Sequence, residues 1–250
     1  MPAPLFWFAS VWLAAWSTAA LAAPDAPTGD ESEAAPPADP RRVPFREIID
    51  LEIVRADSSA FTSFARSELP ETRARTAQAL GRLRTSSAHT LLAQLASDPD
   101  AGVRIAAVTA LGQTPDSERR LLPILLAETD VDVRAATLRA LGRQGRAASL
   151  RVVVDALSTP GDLLRPSAEA HAAAWAIGRM ALQEVDGVRR PEVIHGLLDQ
   201  LARPDRELRI LVAFALARIR PTELDDNART RLFDAARTEA DPTARSLLVR

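Results

Sequence analysis

The sequence predicts an all-α fold, an α-solenoid of about six helix pairs stacked in single file, and three observations carry that prediction. The first is a recurring stretch: DVDVRAATLRALGRQG (130–145) reappears as DAGVRIAAVTALGQ (100–113), ETRARTAQALGRL (71–83), DRELRILVAFALARI (205–219) and a shorter DPTARSLLVR (241–250). The second is spacing. Leu80, Leu111, Leu141, Ile177 and Leu216 follow one another at intervals of 31, 30, 36 and 39 residues, the period of repeat architectures. The third is composition: aromatic residues make up only 4% of the 250 residues and Tyr is absent. Such a chain, dominated by Ala, Leu, Val and Arg, suits closely packed helices better than sheets.

The chain opens on LFWFASVWLAAWSTAALAA (5–23), uncharged and apolar, with Ala20, Leu21 and Ala22 forming a small-residue cleavage site. Residues 1–22 are therefore expected to be a secretory signal peptide, which places the protein outside the cytoplasm, secreted or periplasmic. The alternative is an uncleaved anchor, since 19 apolar residues just span a bilayer. Membrane association is expected only in that case. Residues 23–44 are rich in proline, alanine and acids, with almost no large apolar side chains, and read as a disordered linker.

The segment FREIIDLEIVRA (45–56) offers Ile48, Leu51 and Ile49 to one helix face and is expected to close the exposed end of the first repeat. The repeat domain, 45–250, then divides into units of about 58–84, 85–114, 115–144, 145–181, 190–221 and an incomplete 222–250. Within a unit, Val133, Ala136, Ala140 and Leu141 share one helical face while Arg134 and Arg139 lie off it. Asp130 or Asp132, with Asp100, Asp205 and Asp241 in their own units, is placed to cap a helix start. Gly81, Gly112, Gly142 and Gly178 are expected to end the helices through a left-handed residue. In the fifth unit Ala217 replaces that Gly, so its helix should run on toward Arg220 and stop before Pro221. A second set of helices alternates with the first: HTLLAQLAS (89–97), RRLLPILLAE (119–128), ASLRVVVDALS (148–158), PEVIHGLLDQLA (191–202) and RTRLFDAAR (229–237). One such pair leaves an apolar face wet, and stacking covers it.

The pattern L-L-x-x-L-x-x-D-x-x-x-x-V-R-x-x-A-x-x-A-L-G resembles the HEAT and phycobilisome-lyase-type HEAT-like repeats over residues 58–250. That resemblance implies a solenoid that binds other proteins. The fourth unit departs from it, with Ala170 and His171 in place of Val-Arg and longer connections at 158–167 and 182–191.

With no cysteine, thiolate chemistry and disulfides are excluded. The three histidines, His89, His171 and His195, lack metal-ligand spacing even with Glu192 beside His195 and read as helix-surface side chains; no nucleophile elbow or phosphate loop occurs, so no catalytic residue, metal site or cofactor is expected. Net charge is −2, and the arginine row formed by Arg82, Arg84, Arg143, Arg146, Arg179, Arg218 and Arg220 is explained by helix C-terminal dipoles without interleaved aromatics. Nucleic acid is therefore not an expected partner. Trp175 is expected to plug the gap made by the longer fourth repeat. Candidate partner-binding residues are Arg104, Arg134 and Arg209, recurring at one position of the second helices, and Arg165, Asp186, Arg189 and Arg190 in the long loops. The repeated arginines have a competing structural role, pairing with Asp side chains in adjacent turns, which stacking would bring into register.

The function expected is a non-catalytic protein-binding scaffold of the bacterial cell envelope. An alternative comes from IIDLEIVRADSS…ARTAQALGRL, which is similar to the front of cyclophilin-type peptidyl-prolyl isomerases that carry HEAT repeats before a catalytic barrel. Nothing in residues 1–250 resembles that barrel. Bilin lyases share the repeat type, but a secretory signal and the absence of Cys argue against such an activity.

Overall fold

The computed structural model describes residues 44–159, 167–221 and 224–249. The expected signal peptide (1–22), residues 23–43 of the expected linker and Arg165 lie outside those residues. Among the described residues there is no strand, and no helix is long and apolar enough to cross a membrane. After the N-terminal helix α1 (Phe45–Ile53) comes a short first pair, a 3₁₀ turn (Ser58–Phe61) running into α2 (Thr62–Ala65), then α3 (Pro70–Leu83). Four fuller pairs follow: α4 (His89–Leu95) with α5 (Ala101–Gln113), α6 (Glu118–Ala127) with α7 (Val131–Gln144), α8 (Ala147–Asp155) with α9 (Ala168–Leu182), and α10 (Pro191–Leu201) with α11 (Arg206–Ile219). The last pair is α12 (Asp226–Thr238) with α13 (Pro242–Leu248).

The second helix of each pair packs on the second helix of the next, from α3 through α5, α7, α9 and α11 to α13, and this row is the tight side of the stack. The first helices mainly contact the second helices beside them. The core is leucine-rich: Leu80, Leu111, Leu141 and Ile177 are fully buried in the second helices, as are Leu92 and Leu121 in α4 and α6 and Leu157 in the 3₁₀ turn that follows α8. Helix α1 docks on α3 through Ile48, which is wholly buried. Its Glu52 carboxylate holds Arg75 at 2.8 Å and Arg82 at 3.0 Å, so the cap is fixed by charge as well as by apolar contact.

The helix starts follow the expected chemistry. Asp130 accepts from the backbone N–H groups of Asp132 and Val133, Asp100 from that of Val103, Asp205 from that of Glu207, and Asp241 from those of Thr243 and Ala244. Each satisfies donors that a helix start otherwise leaves unpaired.

The helix ends do not. Gly81, Gly112, Gly142 and Gly178 lie inside their helices, and the positive-φ glycines are Gly145 (φ 61°) and Gly187 (φ 84°). The repeat glycines serve close approach instead. A Cβ on Gly81 would meet Ala110 Cβ at 2.7 Å, on Gly112 that of Ala140 at 2.7 Å, and on Gly142 that of Ala176 at 2.6 Å. Two helices thus touch backbone to backbone at each step, and only Gly facing Ala permits it. On α9, Gly178 is covered by the ring of Phe214. The chain actually turns left-handed at Arg84, Gly145 and Arg220, so the fifth unit ends where expected, just before Pro221.

Helix C-termini are closed by side chains from neighbouring units. Gln144 on α7 donates to the carbonyls of Gly112 (3.1 Å) and Thr114 (2.9 Å) and accepts from Ser117 N–H. Gln183 after α9 donates to Gly142 O, Arg55 to Leu83 O and Arg189 to Ile219 O. These side chains satisfy carbonyls that have no partner within their own helix.

Candidate functional site

The recurring arginines form a ladder along the stack. Arg73 donates to both carboxylate oxygens of Asp98, at 2.7 and 2.8 Å. Arg104 does so to Glu128 (2.8 and 3.3 Å), Arg134 to Glu169 (2.9 and 3.2 Å) and Arg209 to Glu239 (2.9 and 3.3 Å). The remaining nitrogen of each guanidinium donates to backbone carbonyls of the turn before its own helix, such as Asp98 O and Pro99 O for Arg104 and Arg203 O and Pro204 O for Arg209. One planar fork therefore clamps its own turn and ties it to the next unit, a geometry that Arg supplies and Lys does not. Arg245 begins the same clamp on Glu239 O.

In the fourth unit His171 occupies the arginine position. Its Nδ1–H donates to Ser167 O at 3.0 Å, and Nε2 lies 2.7 Å from Asp205 Oδ2. That oxygen is buried and the contact is short without hydrogen-bond alignment. The smaller imidazole reaches both neighbours, but it does not replace the fork.

Charge in the ladder is locked. Hydrogen bonding from Arg73 holds the Asp98 carboxyl below the ordinary range, against the opposing effect of burial. For Glu128 and Glu239, burial is the largest single influence and pushes upward. The combined hydrogen bonds from Arg104 or Arg209 and from nearby backbone N–H groups outweigh it and bring both carboxyls down. Arg73, Arg104 and Arg134 are correspondingly raised by their carboxylate partners.

The sequence-derived candidates separate. Arg104, Arg134 and Arg209 are consumed in the ladder, with side chains that are 18%, 29% and 17% exposed. Arg189 spends its Nε on Ile219 O. Asp186 and Arg190 lie on the rim of an open groove of about 500 Å³ between α8 and the start of α10, with Leu150, Val154 and Val193 below and Arg151 opposite. Arg104, although paired in the ladder, also lines an open depression with Ile124 and Glu128.

His89 is buried against Ser117 Oγ at 3.0 Å, not on a helix surface, and burial depresses its pKa, assisted by repulsion from Arg120. His195 pairs with Asp225 at 2.8 Å, not with Glu192. Among the described residues no three His, Asp or Glu side chains converge as metal ligands would. Trp175 packs on the core but remains half-exposed on the outward face of α9, where the Arg143 guanidinium lies 5.5 Å from its ring centre. Phe214 and Arg218 repeat that arrangement on α11 at 5.1 Å. The arginine row is thus interleaved with aromatics on two helices, contrary to the sequence expectation. Pairing with Asp of an adjacent turn holds for Arg73 and Asp98, but the other rungs use Glu128, Glu169 and Glu239, although the spacing Asp98-Pro-Asp100, Glu128-Thr-Asp130 and Glu239-Ala-Asp241 marks three of the four acceptors in the sequence.

Comparison with known proteins agrees with this architecture. Residues 58–125 match the family model described as HEAT repeats. The complex of CpcE and CpcF of phycocyanin lyase from Nostoc sp. PCC7120 is similar in fold, with a TM-score of 0.50 at 19% identity over 65% of this chain and 96% of that one. Two engineered proteins are similar at TM-scores of 0.51 and 0.52, with 20% and 19% identity, each over 77% of this chain and 94% and 96% of theirs. A search of curated proteins gives no match. Over the described residues the chain is an α-solenoid of stacked helix pairs, with HEAT repeats matched at 58–125 and a fold similar to that of the phycocyanin lyase complex. Those likenesses concern the fold.

Proposed function

We propose that the chain is a non-catalytic protein-binding scaffold of the bacterial cell envelope. The observation that carries the reading is the ladder: guanidinium forks join successive units, so outward side chains on several helix pairs are presented in fixed register. A surface held in this way loses little freedom on binding, which favours many modest contacts spread over several repeats. The envelope location is supported by the apolar segment 5–23, its Ala20-Leu21-Ala22 site and the proline-rich stretch after it.

A photo-crosslinking residue placed at Asp186, on the groove rim, tests the reading in the full chain produced in a bacterial host. The expected result is a defined crosslinked protein in the envelope fraction and a mature N-terminus near Ala23. Crosslinking to nothing, or a chain retained in the cytosol at full length, overturns it.

A further inference from the structure

Helices α7, α9 and α11 present one outward face carrying Arg139 and Arg143, Trp175 and Arg179, and Phe214 and Arg218. Phe214 lies on α9 at Gly178, one turn from Trp175, so the two aromatics are neighbours. The ladder arginines are paired, whereas none of these four arginines has a carboxylate partner among the described residues. Arg143 is half-buried, and burial together with the like charges of Arg139 and Arg179 pushes its pKa down. Helix dipoles account for an arginine in each last turn. They do not account for Arg139 one turn earlier, or for the missing counter-ion. Arg82, in the same register on α3, has Glu52 at 3.0 Å.

Resting on the scaffold reading, we propose that this face is the docking site for an acidic segment of a partner protein, its carboxylates on Arg143 and Arg179 and its apolar side chains on Trp175 and Phe214. Carboxylates would neutralise cations that the fold leaves uncompensated, and planar guanidinium groups bind them through two parallel hydrogen bonds. Three helices at roughly 10 Å spacing span about 20 Å, the length of roughly six extended residues. A nucleic-acid backbone is less well matched. The corresponding outward positions on α3 and α5 include Gln78, Thr109 and Gln113, which breaks the continuous positive track that a polyanion follows.

Fluorescence anisotropy of a fluorescein-labelled peptide of Glu and Leu, about eight residues long, tests the proposal on the full chain. Saturable, salt-sensitive binding is expected, weakened about tenfold or more in R143Q/R179Q, as for a central charged anchor. The variant's melting curve should stay within a few degrees of the parent's, because the lost cations have no carboxylate partner among the described residues and Arg143 gives up only its contact with the Trp175 ring. No saturable binding, equal affinity in the variant, or tighter binding of a labelled oligothymidylate of the same length overturns the proposal. The groove crosslink at Asp186 lies outside this face and reads the scaffold function separately.

Discussion

Gly142 on α7 and Ala176 on α9 are in backbone contact: a Cβ built on the glycine would stand 2.6 Å from both Cα and Cβ of the alanine. In an exposed helix interior, Gly→Ala gains about 1 kcal/mol. Here the added methyl must push α9 away, and overpacking costs about 1–3 kcal/mol. Gly142→Ala is therefore expected to destabilise the protein and Gly142→Val to do so more strongly, both read from urea unfolding. A stabilised Gly142→Ala would mean that α9 can retreat without loss.

Arg104 and Glu128 provide a test of the ladder. Replacing Arg104 with Met leaves a carboxylate that is only 9% exposed without its main partner, a loss of about 1–3 kcal/mol. Glu128→Gln alone should also destabilise. The double variant should lose less than the sum of the two, with a coupling of about 0.5–3 kcal/mol. Strict additivity in denaturant melts would show that the pair contributes nothing.

Acid should loosen the stack. Asp98, Glu128 and Glu239 have folded-state pKa values below their ordinary ones, so the folded state binds protons less readily than the unfolded chain. Their stabilisation is fully present above the unfolded values of about 3.9 for Asp and 4.3 for Glu. It disappears as pH falls through the lowered folded values. The melting temperature should start to fall as pH drops below about 6.5, where the unfolded chain protonates His89, which burial keeps neutral in the folded state, and fall more steeply below about pH 5 as the carboxyls are protonated. Arg73→Met should flatten the part of the fall that Asp98 causes.

His171→Arg should strengthen the fourth rung, because a fork can bond both oxygens of Asp205 where the imidazole leaves one unaligned. A gain of about 0.5–1.5 kcal/mol is expected, with His171→Ala shifting stability the other way. If the arginine variant melts at a lower temperature, the turn around Ser167 is too tight for the longer side chain.

Much of this fold was legible along the chain. Aspartate caps, apolar periodicity and the 30–39-residue spacing are local or one-dimensional signals, and they placed the second helices close to where they lie. The glycines show where such reading stops. A Gly after Leu near a helix end suits a left-handed exit as well as it suits a tight crossing, and only a neighbouring backbone distinguishes the two. His89, read from the sequence as a helix-surface side chain, is buried because α6 begins against it with Ser117.

The candidate site divides in the same way. The arginines were visible as a repeat, and three of their acceptors, Asp98, Glu128 and Glu239, sit two residues before a helix cap, within reach of a pattern reading, whereas Glu169 lies in the first turn of α9. Their pairing was open until the units were stacked. Trp175 and Phe214, 39 residues apart, share a surface with Arg143 and Arg218 only because Gly178 lets α11 close on α9.

The sequence by itself determined the class of architecture, the order of the alternating helices and several of their starts, because hydrophobic period and capping act over a few residues. The tertiary structure alone decided which arginines are spent in holding the units together and which are left facing outward. That division depends on distances between side chains about 25–35 residues apart, which arise only when each unit buries its apolar face against the next.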